Sequence, residues 1–385
     1  MELVKSPKKA LQPEAFKQLS QEITEEDSNR FFRVVSTDLS EEQQQTIINP
    51  AQTYPRQKMV LAVHWHPEFV PMDLIAQRIE KLYPNKEEEL IIPTQHNHIT
   101  TYGRYSGVEV DCYSKGFQRK VQLLLHFENA KIKNSDVMKS LLDYTFRYRS
   151  SQLFDFIHTI TQPMEERLNQ AAQETGSSEE VVHFTQIAVA KIEKLIEENF
   201  EELPTFSLKN KLLRNFIDTL RPEFGHEFIE RVQIFLQAVK RIVKGNFSLT
   251  YFYRTSEVIE EARTLGAGIV IPHPEQFWPI LLADYDVDGY EVWNPQSQEY
   301  TEFLISVVFR RNQGAGLSRR KLLIFMGDDT HMAEKLKEPS EQNNTKANRE
   351  IGLQPAWDDL EIRKKLIKAD MLRPQVIREY QERLT

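Results

Sequence analysis

Seven short apolar runs in this chain end in, or run straight into, a histidine or an acid. That recurrence limits the chain to folds in which buried strands deliver polar side chains to one place. The runs are KMVLAVHWH (58–66), ELIIPTQHN (89–97), GVEVDCY (107–113), KVQLLLHFE (120–128), AGIVIPHPE (267–275), DGYEVWNP (288–295) and KLLIFMGDDTH (321–331). Between the first two, PMDLIAQRIEKLYPNKEEE sets Leu74, Ile75, Ile79 and Leu82 at helical spacing, which predicts a strand, a crossover helix and a parallel strand. Repeated, this is α/β grammar, and the ends of parallel buried strands are where a barrel places its chemistry.

Domain organisation follows from where the pattern changes. Residues 1–56 are polar with acidic and Gln-rich patches and read as a helical, partly ordered N-terminal extension. The strand-bearing region is 57–133 and 253–335. Residues 134–252 switch to apolar positions recurring at three and four, with breaks at TQP, ETGSS, ELPTF and RPEFG, which predicts an all-helical insertion. Residues 336–385 read as a loop and a helical tail packed on the outside.

Composition narrows the function classes. With a formal net charge of -8 over 385 residues, gripping nucleic acid by bulk electrostatics is disfavoured. No apolar stretch approaches the roughly 18 residues that span a bilayer, and the N-terminus has no apolar signal core, so no membrane role and a cytoplasmic location are expected. The single cysteine, Cys112, excludes an intramolecular disulfide and, beside ten histidines, points to imidazole and carboxylate chemistry.

The candidate ligands are the run ends. His64 and His66 lie two apart, so on a strand both face the same side. His96 ends the second run, Glu109 lies inside the third, His126 ends the fourth, His273 ends the fifth, and Asp329 and His331 form an Asp-x-His at the seventh. These are the donors that divalent Zn, Mn and Fe accept.

Taken in order, HWH (64–66), TQH (94–96), GVEV (107–110), LLLHF (123–127), SEVIEEARTLGAGIVIPHP (256–274), GYEVWN (289–294) and GDDTH (327–331) resemble the PHP family, the polymerase and histidinol phosphatase domain. The resemblance implies an α/β fold, a distorted (β/α)7 TIM-like barrel with a large all-helical insertion, and a centre of two or three divalent ions (Mn, Zn or Fe) that hydrolyses phosphate esters. By motif, His64 and His66 would bind a first metal together with Asp329. Glu109 would bridge to a second held by His126 and His273, and His331 with His96 would hold a third. Catalysis would fall to Glu109, Asp329 and His331, with His331 or His98 protonating the leaving group. Two positions depart from the pattern. Gln95 stands where an Asp is common, and the acids after His66, Glu68 and Asp73, are out of register, which predicts weaker occupancy of the third site.

Substrate contacts are expected from Arg104, His98 and Trp278, while Arg310, Arg311, Arg319 and Arg320 are expected to be surface charge at the far face. The expected substrate is a small phosphorylated molecule. The other readings are an exonuclease-like nucleic-acid phosphodiesterase and a regulatory module with a partly degenerate metal site. The insertion, taken to leave the fourth strand at the ligand end, is expected either to cap the site or to bind a protein partner or a second copy.

Overall fold

The computed structural model describes residues 20–385 apart from 134, 163, 315–319 and 338–341, so Arg319 and residues 1–19 of the N-terminal extension lie outside the described residues. The chain divides into a unit formed by Leu39–Phe146 with Leu249–Thr385 and a unit formed by Met1–Asp38 with Arg147–Ser248.

The second unit is helical. Its helices Glu25–Val35, Tyr148–Thr161, Glu165–Thr175, Glu179–Asn199, Lys211–Asp218 and His226–Asn246 bury one apolar stripe each around Phe156, Phe184, Phe216 and Phe235. The helix Glu25–Val35 belongs here rather than to a separate extension because Phe31 and Val35 enter this core and Lys191 pairs with Asp27 at 2.7 Å. No helix among the described residues is long and apolar enough to cross a membrane.

The first unit carries the strands. β1 (Met59–Ala62) and β3 (Glu88–Ile91) are parallel, joined through the helix Met72–Leu82. Alternation along β1 divides its side chains: Leu61 and Val63 enter the main core, while Val60 and Ala62 pack under that helix with Ile75 and Ile79. β2 (Trp65–His66) pairs in parallel with β10 (Thr330–His331). The remaining strands form one sheet, β4 (Thr100–Tyr102), β5 (Tyr105–Ser114), β6 (Arg119–Glu128), β7 (Gly268–Ile271), β8 (Gly289–Trp293) and β9 (Leu323–Met326), in that order.

The uniform strand direction expected of a (β/α)7 barrel is not kept. β6 is antiparallel to both neighbours, with His126 opposite Gly107 on one side and Gly268 on the other. The reason is the link between β5 and β6: Lys115–Gln118 is a tight turn, with Gln118 at φ 51°, and a parallel connection needs a dozen or more residues. β7, β8 and β9 are mutually parallel, and a parallel bridge between His96 and Glu109 ties the segment after β3 to β5. Apart from β4 and β6, all strands therefore share one direction.

The C-terminal helix Arg373–Leu384 closes the end where these strands begin. Arg373 donates to the Met59 carbonyl (3.1 Å), Gln381 to Glu89 (3.2 Å), and Arg383 to Asp288 (3.2 Å) and Lys321 (2.6 Å), so one helix satisfies carbonyls at the starts of β1, β3, β8 and β9. Gly268 at the start of β7 lets Tyr380 in: a Cβ there would overlap the Tyr380 hydroxyl and lie 2.8 Å from Leu384 Cδ2. Gly268→Ala should therefore shift the urea midpoint of this unit downward by the equivalent of about 1–3 kcal/mol of overpacking. An unchanged midpoint would mean that the helix is not seated on β7.

Candidate metal centre

The opposite end of the strands collects the ligand-type side chains. His64 and His66 flank Trp65, whose fully buried ring points into the other core, so both imidazoles face the same way. The β2–β10 register sets His66 beside His331, with ring centroids 4.3 Å apart, and the Asp329 amide donates to the His64 carbonyl at 2.9 Å. The His96–Glu109 bridge brings His96 over β5, and His66 stacks on it at 4.4 Å. His273 follows β7, its amide directed at Glu291 Oε1 (3.3 Å).

Three groups result, each with one ligand atom per residue and all such atoms within 4.8 Å of one another: His66, His96 and His331; His64, His66 and Asp329; His64, Glu109 and His273. Glu109 stands between them. Its Oε1 lies 3.5 Å from His273 Nε2 and 3.9 Å from His64 Nε2, and its Oε2 lies 3.7 Å from His66 Nε2 and 2.6 Å from His96 Nδ1. Asp329 Oδ1 lies 3.4 Å from both His66 Nε2 and His331 Nε2 and 3.8 Å from His64 Nε2.

Most of these separations exceed a hydrogen bond, which closes at roughly 2.7–3.2 Å. They are near the spacing of donors that share one ion at about 2.0–2.2 Å each. Glu109 Oε2 and His96 Nδ1, 2.6 Å apart, are both buried and without a counted hydrogen-bond partner among the described residues. Buried polar atoms are rarely left so, and the nitrogen and oxygen donor set fits a divalent ion.

The electrostatics of Glu109, Asp329 and His66 agree. Burial raises the Glu109 carboxyl, but His96, His273 and His66 outweigh it and hold the group well below the usual carboxylate range; Asp329 is held low by His331, His66 and His64 in the same way. Burial together with the neighbouring His331 and His96 pushes His66 down to about 3, leaving a neutral imidazole with a free lone pair, the form a metal needs. His64 behaves oppositely. Burial works against its charge, yet Glu291, Asp329 and Glu109 push it up to about 10.

Glu291 had no assigned role in the sequence, although it interrupts a strand, GYEVW, that is buried throughout. Its Oε2 lies 2.5 Å from His64 Nδ1, which directs His64 Nε2 towards the centre, as outer-shell carboxylates do for ligating histidines. Asn294 donates to its other oxygen at 3.0 Å. Gly327 makes room for this pair, since a Cβ there would overlap Glu291 Oε2 and lie 3.0 Å from His64 Nδ1. Gln296 and Arg349, both bonded to Asp329, were also missed.

The positions that depart from the motif pattern also find places. Gln95 Oε1 accepts the Glu68 amide at 2.9 Å, and Glu68 Oε1 then comes to 3.7 Å from His331 Nδ1. Asp73 is exposed in the first turn of its helix. Left-handed backbone clusters here, with φ of 56° at Glu68, 51° at Asn97, 29° at His273 and 47° at Asp329, conformations that non-glycine residues hold only when their surroundings impose them.

Four expected site residues are not brought into these groups. His126 ends the reversed strand and so arrives at the other end of the sheet, where its Nδ1 meets the Tyr380 hydroxyl (2.7 Å) and its Nε2 the Val63 carbonyl (3.0 Å). Both ring nitrogens are engaged by the protein. Arg104 lies in the β4–β5 turn and pairs with Glu128 at 2.7 Å, at that same far end. His98 is exposed and 6.2 Å from the Phe146 ring, and Trp278 packs edge-on against Tyr300 (5.1 Å) and Phe303 (5.5 Å). The reversal of β6 also removes the premise that the insertion leaves this strand at the ligand end. Of the basic loop, Arg320 pairs with Asp288 at 3.2 Å, just before β8.

No protein-family model matches the sequence, and no curated protein matches it. Among solved structures, the chain is similar to one from Bifidobacterium adolescentis described as a "putative metal-dependent phosphoesterase", at 14% identity and TM-score 0.40, over 83% of this chain and 97% of that one.

The geometry separates two histidines of the same sequence class. His126→Ala should destabilise the fold by about 2–4 kcal/mol, through a cavity and a buried unpaired tyrosine hydroxyl, with bound metal unchanged by elemental analysis. His273→Ala should do the reverse, and equal metal loss in both variants would contradict the assignment.

Proposed function

We propose that this chain is a metal-dependent phosphoesterase whose buried His, Glu and Asp cluster holds two or three divalent ions. The observation that carries the reading is Glu109, a fully buried carboxylate each of whose oxygens faces a different pair of imidazoles. The order of motifs that resembles the PHP family supports it independently. The scaffold is proposed as a distorted (β/α)7 barrel with β6 as its reversed stave. Support comes from the order of neighbours: β1 pairs with β3, the His96 bridge ties the segment after β3 to β5, β5 to β9 follow one another in a single sheet, and β10 pairs with β2.

In this reading His64, His66 and Asp329 hold one ion, His64, Glu109 and His273 border a second, and His66, His96 and His331 border a third, with Glu68 as the nearby acid. Bound divalent ions supply Lewis acidity towards phosphoryl oxygens and bring the pKa of water towards neutrality. The chain's own part is to fix charge and proton positions. Glu109 and Asp329 stay ionised and place negative charge on both sides of the centre. Glu291 holds a proton on His64 Nδ1, so that only Nε2 is offered inward. His331, raised to about 9 by Asp329 and Glu68 despite burial, can hold a proton for a leaving alkoxide whenever it is not itself a ligand. The donor set contains no thiolate, which suits Mn, Zn or Fe, and the acidic chain favours a small phosphorylated substrate over a polyanion.

Hydrolysis of a generic phosphate monoester with added Mn should fall on the order of 100-fold in Glu109→Gln, as expected when charge at the reacting centre is lost, while Arg104→Ala changes it little. Turnover indifferent to Glu109→Gln would overturn the enzyme reading.

A further inference from the structure

Asp329 is held in a way its role as a ligand does not by itself require. One amino group of Arg349, Nη1, donates both to the Asp329 backbone carbonyl (2.9 Å) and to its Oδ2 (2.8 Å), and Gln296 Nε2 donates to the same Oδ2 at 2.6 Å. Oδ1 is left to face His64, His66 and His331. The Arg349 side chain is 3% exposed and the Asp329 side chain 11%. Asp329 sits at φ 47°, a left-handed conformation that favours glycine, so tying its carbonyl and carboxylate to one nitrogen fixes the backbone and the side chain together.

Arg349 comes from the segment after the strands, which the sequence places outside the site. That segment is bonded to the ligand loop at several points. The Gly352 amide and Gln354 Nε2 donate to Asp328 Oδ2 (2.9 and 3.3 Å), and Lys335 Nζ holds the Arg349 carbonyl at 2.7 Å. The guanidinium Nε is buried without a partner among the described residues. An arginine buried there at that cost, a fixed positive charge beside a cation site, would weaken metal binding unless its orienting effect on Asp329 exceeds the repulsion.

We propose that Arg349 is the positioning residue that makes Asp329 a one-oxygen ligand, and that this clamp, shared with Gln296, sets the affinity of the centre. The proposal rests on the reading of the cluster as a metal centre. Its test is the apparent affinity of metal-stripped protein for Zn and Mn, measured by competition with a chromophoric chelator, for wild type, Arg349→Lys, Arg349→Met and Gln296→Leu. The clamp predicts binding weakened about 10- to 100-fold in Arg349→Met, less in Arg349→Lys, which keeps the charge and one terminal nitrogen but on a more flexible stem, and weakened also in Gln296→Leu.

Tighter binding in Arg349→Met would mean that repulsion dominates, and affinities within about threefold of wild type in all three variants would mean that Asp329 needs no clamp; either overturns the proposal. If the Arg349 variants do not fold, Gln296→Leu decides alone, because it removes an Oδ2 donor from a different element. Wild type that binds neither metal would instead sink the metal-centre reading itself, an outcome separate from failure of the clamp.

Discussion

A carboxylate taken wholly out of water must be compensated, and the burial of Glu109 is the constraint around which the strand-bearing unit is arranged. Its backbone is fixed twice, by the β5–β6 ladder that sets it opposite Leu124 and by the bridge to His96. Its side chain then faces imidazoles from the segments after β1, β3 and β7, so four parts of the chain must be in register before the charge is answered. Ionised or cation-bound, the group repays burial only as part of that set. The same logic explains Glu291, a second buried acid in an apolar strand, answered by His64 and Asn294.

Strand direction then divides the unit into two chemically different ends. Strands of common direction bring His64, His66, His96, His273 and Asp329 to one end, where strained backbone at Glu68, Asn97, His273 and Asp329 is concentrated. At the other end, a helix with ordinary hydrogen bonds to strand starts, and an ion-paired Asp288 held by Arg263 (2.6 Å) and Arg383 (3.2 Å), does purely structural work. His126 belongs to that second end because four residues of turn, not a helix, precede its strand.

Much of this was legible in the residues because the signals are local. The two-residue spacing of His64 and His66, the crossover helix with Leu74, Ile75, Ile79 and Leu82, and the acid or imidazole at each run end can be read within a few positions of sequence. The direction of β6 was also locally encoded: two apolar runs separated only by Lys115–Gln118 cannot be parallel, and reading them as a hairpin would have withdrawn His126 and Arg104 from the site. What no local pattern carries is the supporting shell. Glu291 meets His64 across 227 positions, Tyr380 meets His126 across 254, and Arg349 reaches Asp329 from a polar segment without periodicity. Such partners are chosen by geometry at the strand ends, and only the folded chain brings them together.

The central claim is that these buried donors surround metal ions, and anomalous X-ray diffraction from crystals of protein purified without chelator tests it most directly. The account predicts anomalous peaks at the edge of Mn, Fe or Zn within the groups formed by His64, Glu109 and His273 and by His64, His66 and Asp329. An ordered cluster with no anomalous density, its imidazoles and carboxylates bonded to one another and to water, would contradict it.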